Sequence, residues 1–159
     1  DGIFVLPREI PVGGIYTVIK SKVPVTAAEF GNRYVLLGPL NHKCASAEVE
    51  VLTDVRQHAL KESISAMSSQ GVNVVYGRWL IDGAPQVVLF DLASAYNRLD
   101  AWKGEFYRDC HVPLPPDPET NDAVVFGYLV AWFLGEVTAE RRARAGAACR
   151  RWSPGVPHR

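Results

Sequence analysis

Three strongly apolar stretches constrain the fold of this chain most. They are Tyr34–Pro39, Val72–Gly77 and Gln86–Leu92. Apolar runs without polar alternation are typical of strands that are buried on both faces, as in parallel sheets covered by helices. Segments with helical spacing lie between these runs, notably residues 56–69. The interleaving predicts an α/β domain with a mainly parallel sheet and flanking helices.

The helical pattern predicts several helices and their ends. They are expected at residues 15–22, 26–30, 56–69, 96–109 and 122–137. Pro24 is expected to end the first helix, because proline lacks an N–H and clashes with the preceding turn. Thr120 or Asn121 is expected to cap the last helix. That helix is apolar nearly all round, so it should lie inside a larger core. Its apolar stretch is shorter than the ~20 residues that span a bilayer.

The net charge gives no support for two classes of partner, and one segment differs from the rest of the chain in composition. The net charge of the 159-residue chain is zero, which gives no argument for a nucleic-acid or membrane partner. Residues 138–159 are rich in arginine and lack apolar periodicity, so this tail is predicted to be disordered. Cys44, Cys110 and Cys149 show no paired spacing, which favours reduced thiols in a cytoplasmic protein over disulfides or a metal site.

Individual polar residues remain ambiguous on sequence grounds. Asp82 and Asp91 end strand-like segments, where site residues and turn residues are both common. The four histidines, His42 among them, share no metal-like spacing and are interpreted as surface residues. Gly13 and Gly14 precede an apolar segment and could form a loop that approaches a phosphate at a helix N-terminus. A plain turn explains the glycine pair equally well.

A set of specific motifs stands in order along the chain. The motifs are Gly13–Val18, Leu37–Pro39, Gly77–Pro85, Val88–Asp91, Trp102–Glu105, Glu119–Ala123, Phe126–Tyr128 and Trp132–Glu136. Together they resemble the N-terminal part of eukaryotic glycogen synthases of the fungal and animal type. The resemblance covers about residues 12–137, and the Gly77–Pro85 motif is far more specific than the glycine pair.

This resemblance implies a fold, an activity and partners. The fold would be an incomplete Rossmann-like N-terminal domain of a GT-B glycosyltransferase. The family transfers glucose from UDP-glucose to the non-reducing end of an α-1,4-glucan, with retention and without a metal or other cofactor. Glycogen, a glycogenin-type primer and a homo-oligomeric full-length enzyme are further implications. The positions implied to bind UDP-glucose are Gly13, Gly14, Ile15, Tyr16, Asn121 and Asp122. Helix capping would explain Asn121 equally well.

The sequence also departs from the family pattern. Pro11 stands where the family has a lysine beside the donor phosphates, and residues 1–11 and 138–159 are interpreted as divergent ends. The second domain of the family, with its catalytic residues, is not matched, so no catalytic residue is assigned and the chain alone is expected to be inactive. The alternative is a non-catalytic remnant that acts as a binding or interaction module. A dinucleotide-binding protein is disfavoured, because no Gly-x-Gly-x-x-Gly follows the first strand.

Overall fold

The sheet is the centre of the fold and has five strands. The computed structural model describes residues 2–5 and 14–151. The strands are β1 (Gly2–Val5), β2 (Tyr34–Pro39), β3 (Val49–Val51), β4 (Val74–Trp79) and β5 (Gln86–Phe90). Their order across the sheet is β1-β2-β5-β4-β3. β1, β2 and β5 run parallel, whereas β4 and β3 are antiparallel to their neighbours. The prediction of an α/β domain is confirmed, but a mainly parallel sheet is wrong, because the sheet is mixed.

The antiparallel half of the sheet follows from the short connection between β4 and β5. Residues 80–85 join β4 directly to β5, and the Trp79 N–H donates to the Pro85 carbonyl at 3.0 Å. A parallel pair needs a crossover of a dozen residues or more, so this length permits only a hairpin. Gly83 in the turn has φ +86°, a conformation that suits glycine.

Five α-helices are present among the described residues, together with two 3₁₀ helices, Gly31–Arg33 and Leu92–Arg98. The α-helices are α1 (Gly14–Phe30), α2 (His42–Glu48), α3 (His58–Ser69), α4 (Leu99–Cys110) and α5 (Pro118–Arg151). One face of the sheet packs with Val23 of α1, and the other face packs with α3 and α5. The sheet is therefore the middle of three layers, and its apolar strands are covered on both faces, as their sequences predict.

Proline does not end the first helix. α1 is continuous from Gly14 to Phe30 with Pro24 inside it, where the sequence predicts two shorter helices. Val23 is fully buried, and Ile19 and Ala27 pack on the same side of the helix. This apolar stripe at four-residue spacing outweighs the ~3 kcal/mol that an interior proline costs. Thr26 caps nothing, since its hydroxyl donates to the Lys22 carbonyl one turn earlier, at 3.1 Å.

The last helix begins earlier than predicted. Asp117 caps α5, because its carboxylate accepts from the Thr120 N–H at 2.8 Å and from the Thr120 hydroxyl at 2.7 Å. Pro118 then occupies the first helical position, which proline favours. The predicted cap at Thr120 or Asn121 is wrong, and Asn121 lies inside the helix. Capping therefore no longer explains why an asparagine stands at position 121.

α5 also continues further than predicted. It runs to Arg151, so residues 138–151 are helical where the sequence predicts disorder; residues 152–159 lie outside the described part of the chain. Alanine and arginine, which make up most of this segment, are good helix formers. The segment Pro118–Ala145 is long and apolar enough to cross a membrane by length and composition alone.

The packing of α5 shows a helix with two different sides. Val125, Leu129 and Phe133 are fully buried, and the Phe133 ring meets the Phe90 ring of β5 edge-on with centroids 5.5 Å apart. The opposite side presents small exposed residues, Ala123, Gly127, Ala131 and Gly135. The large apolar side chains thus turn inward to the sheet and α3, as in the core helix of a globular domain.

Candidate functional site

An open cavity of about 830 Å³ lies at the carboxyl ends of β2 and β5. Its described lining is Pro39, Leu40, Asn41, His42, Asp91, Leu92, Ala93, Tyr96 and Asp122. The two strands are adjacent and parallel, and the Leu40 N–H donates to the Phe90 carbonyl at 2.8 Å where they end. Side chains that follow the two strands therefore meet at one edge of the sheet. Open α/β sheets bind their ligands at this edge.

The most buried polar group of the cavity is the carboxylate of Asp122. This side chain projects from the second turn of α5 and is only 8% exposed. The Tyr96 hydroxyl, from the 3₁₀ helix Leu92–Arg98, donates a hydrogen bond to its Oδ1 atom. A buried carboxylate must be hydrogen-bonded to be tolerated, so Tyr96 and Asp122 form a unit on one wall of the cavity.

Asp91 shapes the cavity floor by holding the 3₁₀ helix in place. It follows β5 directly, and its Oδ1 atom accepts from the Ala93 N–H at 3.2 Å, which makes it the N-cap of that helix. Its other carboxylate oxygen accepts from the side-chain amide of Asn73 at 3.4 Å. The sequence left Asp91 open between a site residue and a turn residue, and in the structure it both caps the helix and lines the cavity. Asp82 lies in the β4–β5 hairpin, at the end of the sheet opposite the cavity.

The positions implied to bind the donor are distributed as follows. Gly13 lies outside the described residues, and Gly14, Ile15 and Tyr16 form the first turn of α1. β1 runs parallel to β2, so its carboxyl end lies at the same edge of the sheet as the cavity, and α1 follows β1 along the chain. Asp122 lines the cavity. Asn121 is not among the described lining residues, but its buried Oδ1 atom has no hydrogen-bond partner in the part of the chain that the structure describes.

Sequence reasoning missed three of the polar residues that line this cavity, Asn41, His42 and Tyr96. His42 was interpreted as a surface histidine, although it follows β2 closely and lines the cavity. Tyr96 carries no motif that marks it. The signal that could have found His42 is its place just beyond a buried parallel strand, the position that the same reasoning gives to site residues.

The charge of the lining indicates which ligand chemistry it suits. Among the described lining residues there are two aspartates and neither lysine nor arginine. The lining also offers an amide, an imidazole and a phenol, which donate and accept hydrogen bonds. No group of three or more His, Cys, Asp or Glu that could hold a metal ion occurs in the part of the chain that the structure describes. These features define a polar site for a small ligand in an α/β domain.

Comparison with known proteins specifies the family. A family model described as glycogen synthase matches residues 8–158, a span that includes residues 138–158, which the quoted motifs do not reach. The chain belongs to the glycogen synthase family. It is 52% identical to glycogen [starch] synthase of Neurospora crassa over 147 residues, which are 91% of this chain and 21% of that protein.

Two further relatives match a somewhat shorter part of this chain. Isoform 1 of glycogen [starch] synthase from Saccharomyces cerevisiae is 47% identical over 80% of this chain. The liver glycogen [starch] synthase of Rattus norvegicus is also 47% identical over 80% of this chain. The aligned region is 19% of the yeast protein and 18% of the rat protein. The chain thus spans about a fifth of the length of the curated relatives it matches.

Proposed function

We propose that this chain forms the donor-sugar side of a glycogen synthase, a GT-B glycosyltransferase that transfers glucose from UDP-glucose to the non-reducing end of an α-1,4-glucan with retention. The observation that carries the proposal is the cavity at the carboxyl ends of β2 and β5, with the buried carboxylate of Asp122 in its wall. The three parallel strands and α1 form the Rossmann-like part of the domain.

We assign the two parts of the donor, its glucosyl unit and its diphosphate, to two features at this end of the sheet. The cavity takes the glucosyl unit, because carboxylate, amide and phenol groups pair with hydroxyls. The first turn of α1, formed by Gly14, Ile15 and Tyr16, offers the backbone N–H groups and the positive dipole end of a helix N-terminus to the diphosphate. Gly13 directly precedes this turn in the sequence, and we assign it to the same group. Asn121, whose buried side-chain oxygen has no hydrogen-bond partner among the described residues, is the second polar residue of α5 that we assign to donor binding.

We infer that glucosyl transfer needs more than this chain. A leaving diphosphate must be stabilised by preorganised positive groups, and no lysine or arginine lines the described part of the cavity. The remaining four-fifths of a glycogen synthase would supply that charge from the facing domain. The further partners that we propose for the whole enzyme are glycogen, a glycogenin-type primer and a second subunit, in the cytoplasm.

The test is a binding titration together with an activity assay on the purified 159-residue chain. Following backbone amides by NMR, UDP-glucose should bind with a Kd on the order of 1 mM and shift the amides of Asn41, His42 and Ala93. NAD should shift none of these amides. Labelled glucose should not be incorporated into glycogen. Absence of any UDP-glucose binding up to 20-fold above that concentration would refute the proposal.

A matched pair of variants localises the binding. Asp122→Asn removes the charge of the buried carboxylate while keeping its shape, and should weaken UDP-glucose binding about tenfold. Asp82→Asn makes the same change at an exposed aspartate on the other edge of the sheet and should leave the affinity unchanged. If UDP-glucose binds without being transferred, and neither variant changes its affinity, the result would favour an interaction module whose binding site lies elsewhere.

A further inference from the structure

A largely apolar groove of about 460 Å³ lies between α4 and α5 and shares no described lining residue with the cavity. Its lining includes Phe106 of α4, Leu114 of the connecting loop and, on α5, Thr120, Val124, Gly127 and Ala131. The Trp102 ring of α4 stacks on the Tyr128 ring of α5 with centroids 5.2 Å apart. The Lys103 ammonium also donates to the Pro115 carbonyl at 3.0 Å. α4 and the loop therefore form a fixed wall of the groove.

The face of α5 that lines the groove continues beyond it with a symmetric spacing. At intervals of four, three, four, four, three and four residues, this face carries Thr120, Val124, Gly127, Ala131, Gly135, Thr138 and Arg142. Such intervals place residues on one side of a helix. They read the same in both directions from Ala131, so two antiparallel copies of α5 would set Gly127 of each against Gly135 of the other. Exposed glycine and alanine at the centre let two helix backbones approach to about 8 Å.

The two ends of this surface carry opposite charge. Residues 100–119, which form most of α4 and lead into α5, contain five acidic and two basic residues. Residues 136–151, the last part of α5, contain two acidic and five basic residues. Burial and then the nearby carboxylates of Glu105 and Asp109 raise the pKa of the Tyr128 phenol, so these acidic groups lie beside the groove. An antiparallel pair would bring the basic end of each copy against the acidic end of the other.

We infer that this face of α5, with the groove beside it, binds a second copy of the chain in an antiparallel, two-fold symmetric dimer centred on Ala131. A two-fold interface uses the same surface of both copies, so each contact between the acidic and the basic end occurs twice. The inference rests on the second subunit of the proposed function, to which it gives a surface. It does not depend on UDP-glucose, which is assigned to a different cavity.

Sedimentation equilibrium of the purified chain, from 1 to 300 µM, tests whether the dimer forms. We expect a dimer with a Kd on the order of 10 µM at 50 mM salt, weakened about tenfold at 500 mM salt because the charges at its ends are exposed. A monomer over the whole range overturns the inference. A monomeric chain that partitions into vesicles of phosphatidylcholine and phosphatidylserine would assign this face to a membrane and would also overturn it.

Gly127→Leu tests the centre of the interface. A Cβ atom at Gly127 meets nothing within 4 Å in the single chain, and leucine is a better helix former, so the circular dichroism spectrum should be retained. Two leucine side chains would separate the paired helices, and the Kd should rise more than tenfold. Gly104→Leu makes the same change at an exposed position of α4 outside the groove lining and should leave the Kd unchanged. A Gly127→Leu variant that dimerises like the wild type overturns the inference.

A charge exchange tests the antiparallel arrangement. Arg142→Glu/Arg144→Glu makes both ends of the surface acidic, and Glu105→Lys/Glu119→Lys makes its acidic end basic. Each variant alone should dimerise more than tenfold more weakly than the wild type, whereas an equal mixture should form a heterodimer with a Kd within about threefold of the wild-type value. A mixture that associates no better than its components overturns the inference. A wild type that dimerises but does not bind UDP-glucose overturns the donor site of the proposed function and leaves the dimer standing.

Discussion

Replacing Gly77 by alanine tests how closely the edge strand β3 packs against β4. Gly77 lies in β4, paired with Val51 of β3 on one side and with Val87 of β5 on the other. A Cβ atom at this position would lie 2.5 Å from the Glu50 carbonyl oxygen and 2.7 Å from Cγ1 of Val49. Real Cβ atoms essentially never approach closer than 3.0 Å, so β3 must move by at least about 0.5 Å.

The cost follows from which strand has to move. The obstructing atom at 2.5 Å is backbone, so no rotamer change can relieve it. β3 is, however, a three-residue edge strand with one neighbour, and it can shift without disturbing the core. The expected destabilisation is therefore that of an overpacked but yielding site, about 1–3 kcal/mol. In a domain of about 150 residues this lowers Tm by about 2–12 °C.

The assay is thermal and urea unfolding followed by circular dichroism, with Gly104→Ala as the matched control. Gly104 lies in α4, and a Cβ atom there meets nothing within 4 Å. The same glycine-to-alanine change should therefore stabilise the protein by about 0.5–1 kcal/mol through helix propensity. A Gly77→Ala variant as stable as the wild type would refute the close contact with β3, and an equal loss in both variants would show that the contact is not the cause.

Three further changes probe the core, the helix cap and the sheet. Phe133→Ala should lower the free energy of unfolding by about 3–5 kcal/mol in urea titrations, because this ring is fully buried against Phe90. Hydrogen bonds from Thr120, the backbone one first, lower the pKa of Asp117 below its ordinary 3.8, so its stabilisation is present above that value and lost as pH falls through the lower folded value. Asp117→Ala should therefore unfold at a lower temperature than the wild type at pH 7. The difference between the two Tm values should narrow in thermal melts recorded at acid pH. Tyr76→Phe should cost about 1 kcal/mol in urea melts by removing a hydrogen bond of 3.0 Å. Burial raises the pKa of the Tyr76 phenol, so its contribution to stability should be lost as pH rises through the folded value.

The strands that are buried on both faces were predictable because the sequence carries their environment directly. In β2 every residue from Tyr34 to Gly38 is buried, and Val87–Phe90 of β5 are buried as well. The helix α3 was equally clear, since Leu60 and Met67 recur on one buried face. The direction of β4 was not predictable from its own residues, because an apolar strand reads the same in either orientation. The length of the hairpin at residues 80–85 determines it.

Helix ends were predicted less well, because local signals compete with tertiary packing. Pro24 is a strong stop signal, but the burial of Val23 against the sheet outweighs it. At α5 both Asp117 and Thr120 are good capping residues. Pro118 favours Asp117 as the cap, because proline prefers the first position of a helix.

The candidate site could be predicted only in part, for a topological reason. The resemblance implied Asp122 as a donor-binding residue, which stays a prediction, and in the structure Asp122 lines the cavity at the carboxyl ends of β2 and β5. His42 and Asp91 are 49 positions apart in the sequence and become neighbours only because β2 and β5 pair directly. The proximity of these two residues depends on the order of the strands in the sheet, which no residue type along the chain predicts.

The charge of the cavity separates two tasks that a glycosyltransferase must combine. Recognition of a sugar needs fixed hydrogen-bonding groups, a role that we propose for the Tyr96–Asp122 unit. Stabilising a departing diphosphate needs cations, and the described lining has none from lysine or arginine. If both tasks were performed by this fifth of the enzyme, added salt should weaken the binding of UDP-glucose strongly, as it does for any site that depends on ion pairs. If the cavity takes only the sugar, the advantage of UDP-glucose over UDP should persist from 50 mM to 500 mM salt, and its loss over that range would contradict the division of roles.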